Sequence, residues 1–178
     1  MREMAARVLL VSASPSLESR SSSVLGVVEG WLRERGHETD LLALRTLPSE
    51  DLLFGRADAP AIRDTITRVE AADGLAISTP IYKAAYTGLL KVWLDLLPQF
   101  ALTGKAVLPV ATGGSLAHVL AIDYALRPVL SSMGPRHIAP GWFILDRLVD
   151  RAPDGKTTIE TDTESKLRAV VDAFSDAL

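Results

Sequence analysis

Short unbroken apolar runs alternate along this chain with longer stretches in which apolar residues recur every three or four positions. Val8-Leu9-Leu10-Val11, Gly74-Leu75-Ala76-Ile77-Ser78 and Ala106-Val107-Leu108-Pro109-Val110-Ala111 lack the polar alternation of a half-exposed strand, so they read as strands buried on both faces. Residues 37–44, which half alternate, and residues 137–145 complete a set of five strands. Pro109 is tolerable inside its strand only where the ladder needs no amide from it. The helical pattern covers residues 21–35, with Val24, Leu25, Val27, Val28, Trp31 and Leu32 on one face and Gly36 as the stop. It returns over 60–71 with Ile62, Ile66 and Val69, and over 89–97, where Lys91 and Asp95 share the polar face before Pro98. A fourth helix is expected over 116–133, ended by Gly134-Pro135, and a last one carries Leu167, Val170, Val171 and Phe174. Residues 45–59 and 146–163 are polar or loop-rich. Strands alternating with helices imply parallel strands joined by right-handed crossovers, with helices on both faces of the sheet.

With 178 residues, one domain spanning 1–178 is expected. The formal charge of −3 argues against a general nucleic-acid surface. No cysteine occurs, which excludes disulfides and thiolate chemistry and fits a reducing compartment. The N-terminal apolar run is too short for a signal peptide and leads straight into Ser14-Pro15. No stretch approaches the roughly 20 apolar residues that span a bilayer. The expectation is therefore a cytoplasmic protein without a membrane partner or a metal site.

In a parallel sheet the segments after strands one, three and four leave on the same side, and an open α/β sheet places its ligand there. Here they are residues 12–23, 78–88 and 112–118. The first, SASPSLESRSSS, offers hydroxyls, helix amides and the planar cation Arg20, a set suited to a monophosphate. The plainer alternative is a helix cap in a solvated loop. The second, with Tyr82, Lys83 and Tyr86, offers extended backbone and flat apolar surface for a planar heterocycle, or else two aromatics with wet hydroxyls. In the third, Gly113 and Gly114 permit close backbone approach, unless this is only a strand-to-helix turn capped by Ser115. The three together at one sheet edge weigh more than any one alone.

These three segments carry a family resemblance. SASPSLESRSSS, STPIYKAAYTGLLKVWLDLLP and LPVATGGSLAHVLAIDYALRPVL are similar to the motifs of the NAD(P)H-dependent FMN reductases of the flavodoxin-like superfamily. The likeness is greatest to the reductases of two-component alkanesulfonate monooxygenase systems. It covers nearly the whole chain up to the fifth strand. The resemblance implies a flavodoxin-like three-layer sandwich whose five-stranded parallel sheet runs 2-1-3-4-5. It implies that Ser14, Ser16, Arg20, Ser22 and Ser23 hold the FMN phosphate, and that Pro80, Ile81, Tyr82 and Lys83 line the isoalloxazine edge. Thr112, Gly113, Gly114 and Ser115 would meet its pyrimidine side and the approaching nicotinamide of NADPH or NADH. One departure is Ala13, where the family often has glycine.

Pro128 gives no amide to the carbonyl of residue 124 and its ring crowds that turn, so the fourth helix must kink, bulge or widen near Tyr124. The resemblance implies a π-helix there, at a tetramer interface near the flavin. Val119, Ile122, Leu126, Val129 and Met133 suffice to face the sheet, leaving Leu120, Tyr124 and Leu130 for a subunit partner. His118 and Tyr124 are candidate modulators of the site, His137 is structural or exposed, and Asp146, Asp150 and Asp154 read as a solvated cluster. The function implied is hydride transfer from NAD(P)H to FMN, with reduced flavin passed to a partner monooxygenase. The alternatives are a quinone or azo reductase with tightly held FMN, or a flavodoxin-like carrier or redox sensor.

Overall fold

The apolar runs pair into one parallel sheet in the computed structural model, which describes residues 5–152 and 154–178. Its strands are β1 (Arg7–Ser12), β2 (Glu38–Ala43), β3 (Gly74–Pro80), β4 (Ala106–Gly113), β5 (His137–Ile138) and β6 (Trp142–Leu145). The order is β2-β1-β3-β4, with β5 and β6 both paired to the outer edge of β4. Since β5 and β6 are two pieces of one fifth strand, the expected 2-1-3-4-5 order stands.

The fifth strand breaks where Pro109 sits on β4. Ala106 and Val107 pair with His137 and Ile138, and pairing resumes only at Val110 with Trp142. Ala139 still donates to the Val107 carbonyl, so the next edge of β4 facing that way belongs to Pro109, which has no N–H to offer. The break leaves the carbonyls of Ile138, Ala139 and Pro140 without strand partners, and the Arg127 guanidinium accepts that role at 3.3, 3.1 and 2.7 Å. Gly141 closes the gap at φ 80°, where a Cβ would lie 2.7 Å from the Pro109 carbonyl oxygen. The expected continuous strand over 137–145 is thereby corrected: the proline is accommodated by interrupting its neighbour.

Helices α1 (Arg20–Glu34), α2 (Ser49–Leu53), α3 (Pro60–Ala71), α4 (Gly88–Leu94), α5 (Arg127–Ser132) and α6 (Thr161–Asp176) follow in chain order. Successive residues of β1 point to opposite faces, and both faces are buried. Leu9 and Val11 join Leu75, Ile77, Trp93 and Leu126 under α3, α4 and α5. Val8 and Leu10 join Val24, Val28, Leu167 and Phe174 under α1 and α6. That double burial is why these strands read as unbroken apolar runs.

Three local departures have physical causes. The short helix α2 forms inside the stretch expected as loop, directly after Pro48. The polar excursion folds as an antiparallel hairpin, β7 (Val149–Arg151) with β8 (Thr157–Ile159), which buries Val149 and Ile159 against the α1–α6 layer. Between β4 and α5 the chain makes a 3-10 turn at Leu116–His118 and a π-helix at Ile122–Leu126. Neither keeps the 3.6-residue period, so the buried stripe shifts. Val119 is exposed, not packed on the sheet, and Leu130 is fully buried, not left for a partner. Among the described residues no helix is long and apolar enough to cross a membrane.

Candidate active site

The carboxyl ends of β1, β3 and β4 hold the polar residues that brace the three loops. The Ser12 hydroxyl shares a 2.8 Å hydrogen bond with that of Ser22, fastening β1 to the first turn of α1. The Ser78 hydroxyl donates to the Ser21 carbonyl at 2.8 Å, fastening β3 to the same turn. Thr87, buried at the end of the second loop, donates to the Ala13 carbonyl at 2.8 Å and accepts the Leu90 amide at 3.2 Å as the cap of α4. Ile81 donates its amide to the Thr112 carbonyl at 2.8 Å, joining the second loop to the third.

These braces enclose a cleft lined by Ser14, Ser16, Glu18, Ser19, Arg20, Pro80, Tyr82, Thr112 and Asp146. Ser19 caps α1 by accepting the Ser22 amide, and no acidic residue lies in the helix's first turn to oppose an anion. The Ser14 hydroxyl accepts the Ser16 amide at 3.2 Å. Among the described residues Arg20 is the one cation lining the cleft; its Nε donates to the Val149 carbonyl at 3.3 Å, which anchors the guanidinium, and its terminal nitrogens have no hydrogen bond to the described residues.

The second loop ends in a tight turn. Tyr82 and Ala85 exchange both backbone hydrogen bonds, at 2.9 and 3.1 Å, around Lys83 at φ 51° and Ala84 at φ 64°. Two successive left-handed residues without glycine cost roughly 1–2 kcal/mol each. Such strain persists where the surroundings over-determine it, and it tends to gather at ligand sites. Ala84→Gly is therefore expected to raise the melting temperature by about 1–3 °C in scanning calorimetry, part of the relieved strain being offset by glycine's entropy. An unchanged or lower melting temperature would show that the strain at Ala84 does not exceed glycine's entropic cost.

Residues 6–150 of the chain match the NADPH-dependent FMN reductase family. The chain belongs to that family. An FMN reductase (NADPH) of Pseudomonas putida is 44% identical over 172 residues, covering 96% of this chain and 87% of that protein. One from Escherichia coli K12 is 43% identical over 171 residues, covering 92% and 90%. Among solved structures, the apo form of an NADH:FMN oxidoreductase superposes with a TM-score of 0.88 at 40% identity, covering 97% of this chain and 90% of that one.

Of the residues singled out by family resemblance, Ser14, Ser16, Arg20, Pro80, Tyr82 and Thr112 meet in the cleft. Ser22 and Ser23 do not line it: the Ser22 hydroxyl is shared with Ser12, and that of Ser23 donates to the Ser19 carbonyl at 3.0 Å. Ile81 is buried against Ala111, Ala121, Ile122 and Phe143, beneath the loop. Lys83 is exposed at the turn. The two glycines differ. A Cβ on Gly113 would lie 3.0 Å from the Phe143 ring, so this glycine makes room for an aromatic of the fold. Gly114 is exposed, its nearest neighbour the Asp146 carboxylate at 3.9 Å from an added Cβ. Ser115 caps the 3-10 turn by accepting the Ala117 amide at 3.2 Å.

Glu18, Ser19 and Asp146 line the cleft without having been singled out. Ser19 carried a signal, as a cap residue just before a helical pattern; Asp146 looked like one member of a solvated acidic run. Tyr86 is half-buried against the α3–α4 core, and burial pushes its hydroxyl pKa up, with Lys91 opposing and Asp95 reinforcing the shift. His118 lies on a separate open trough with Ala84, Leu120, Ala121 and Tyr124, its Nδ1 buried without a hydrogen-bond partner among the described residues. Among the described residues no cluster of histidine and acidic side chains could hold a metal ion.

Proposed function

We propose that this chain is a cytoplasmic NAD(P)H:FMN oxidoreductase that binds FMN reversibly and supplies it reduced to a separate flavin-dependent monooxygenase. The observation that carries the flavin reading is the meeting, in one cleft at the carboxyl edge of the sheet, of a serine-rich helix start, a single anchored arginine and the Pro80–Tyr82 segment. The donor set suits the cofactor. Hydroxyls of Ser14 and Ser16 and the fork of Arg20 suit a phosphate, while Ser22 and Ser23 hold the first turn of α1 in place for them. Pro80, Ile81, Tyr82 and Lys83 form the platform for the ring edge, and Tyr82, 51% exposed, offers the aromatic face. Thr112, Gly113, Gly114 and Ser115 lie on the pyrimidine side and at the nicotinamide's approach, with Gly114 presenting bare backbone.

FMN held by these residues would supply the redox chemistry, as the acceptor of a hydride from the nicotinamide. The protein's share is binding and orientation, which accords with a cleft that holds no nucleophile–base pair among the described residues. NADPH oxidation by desalted protein tests the reading: turnover should depend on added FMN and continue over many cycles. Turnover that needs no added flavin, or none with it, would overturn the exchangeable-flavin reading.

Leu116, Leu120 and Tyr124 are exposed, Tyr124 at 79%, and the last two line the trough that holds His118. An apolar group of this kind supports assembly as a homo-oligomer, dimer or tetramer, through the π-helix segment. Tyr124→Ala is expected to lower the assembly state in light scattering or to change flavin retention. A variant identical in both would remove Tyr124 from the interface and from any modulating role.

A further inference from the structure

We infer that Asp146 tunes the cleft against the flavin phosphate, keeping FMN exchangeable; this rests on the reading of the cleft as a flavin site. Asp146 is half-buried and lines the cleft with Arg20, its carboxylate near Gly114; its backbone carbonyl accepts the Val149 amide, but its carboxylate has no hydrogen bond or ion pair among the described residues. It opens the 3-10 turn Asp146–Leu148, and the next residue, Val149, gives its carbonyl to Arg20 Nε. The same short segment therefore holds both charges at the cleft, yet they are not within ion-pair distance of each other. Arg147, the adjacent cation, turns instead to a groove with Asp150 and Glu160.

Charge at the cleft is thus one guanidinium against two carboxylates, Asp146 and the more exposed Glu18. That balance is wrong for retaining a phosphate, which carries roughly −1.5 to −2 near neutral pH. A carboxylate offers acceptors only, so it makes no hydrogen bond to the phosphate dianion and repels it through a partly desolvated space. Arg20 and the α1 amides attract the phosphate, and Asp146 sets the limit on how tightly. Glu18, in higher dielectric, opposes it less. A protein that hands its flavin on after each cycle gains from such a limit, because slow release would cap its turnover.

Neutralising the carboxylate tests this with a binding readout. Asp146→Asn, which keeps the shape, should tighten FMN binding on the order of tenfold in flavin-fluorescence titration. Riboflavin, without the phosphate, should bind within about twofold of the unmodified protein. The FMN gain should shrink in 1 M salt, where the Debye length falls to about 3 Å. Asp146→Ala should repeat the result if the asparagine variant folds poorly, and Glu18→Gln should show a smaller gain. Unchanged or weaker FMN binding in the Asp146 variants, or equal tightening of riboflavin, overturns the inference. Arg20→Ala separates the two levels. If it costs FMN more than riboflavin while Asp146→Asn does nothing, the cleft stands and only the role of Asp146 falls. If it costs both flavins equally, the phosphate cleft itself is wrong.

Discussion

Arg20→Ala weakens FMN binding by about 10- to 100-fold and leaves riboflavin within about twofold, as the expected result of a titration with both flavins. The factor follows from losing a charge-assisted hydrogen bond of roughly 1.5–3 kcal/mol. Among the described residues Arg20 is the one cation lining the cleft, and the Val149 carbonyl already anchors its Nε, so little side-chain entropy remains to be lost on binding. Alanine also removes that anchor and could loosen the β7–β8 hairpin. Arg20→Lys controls for this: it restores the charge without the two-pronged geometry and should recover part of the loss. The FMN affinity of the unmodified protein should fall with salt more steeply than that of the alanine variant.

The second large effect lies in the core beneath the platform. Trp93 is fully buried among the residues under α3, α4 and α5, and its indole Nε1 donates to the Thr65 hydroxyl at 3.1 Å. Trp93→Ala opens a cavity and should cost about 3–5 kcal/mol. Thr65 still donates to the Ile62 carbonyl at 2.7 Å, so the loss is one of packing, with no stranded buried hydroxyl to add to it. Against a typical total of about 5–15 kcal/mol the protein should remain folded at room temperature. Its melting temperature should fall by about 6–20 °C, and the urea midpoint should drop without a change in slope. A fall below about 3 °C would mean that α4 repacks. Since Trp93 sits one and a half turns beyond the Thr87 cap that ties the second loop to Ala13, weaker flavin binding should accompany the loss.

The value of local rules varied with how local the deciding interaction was. A disturbance of the helix near Tyr124 was legible because Pro128 removes an amide within one turn of it, a conflict confined to a few consecutive residues; its π form was implied only by the family resemblance. The broken fifth strand was half legible: the awkwardness of Pro109 was plain, but its relief lies in Arg127 and Gly141, 18 and 32 residues further along the chain. Gly113 and Gly114 look alike in the chain, yet one makes room for Phe143 and the other leaves backbone open. Nothing in the dipeptide separates them, because the difference is made by a ring on another strand.

By itself, the sequence determined the doubly wound sheet, the places of the main helices and the edge where three loops meet. Each of these follows from hydrophobic periodicity and stop residues, which act over a few positions. Family membership was legible too, in three motifs matched within residues 6–150. Only the tertiary structure decided that the Ser22 and Ser23 hydroxyls are consumed in bracing α1 while Ser14 and Ser16 line the cleft. It also decided that Asp146 shares a cleft with Arg20 instead of lying in solvent. Hydroxyls and carboxylates take their roles from whatever partner comes within about 3 Å, and those partners arrive from elements remote along the chain.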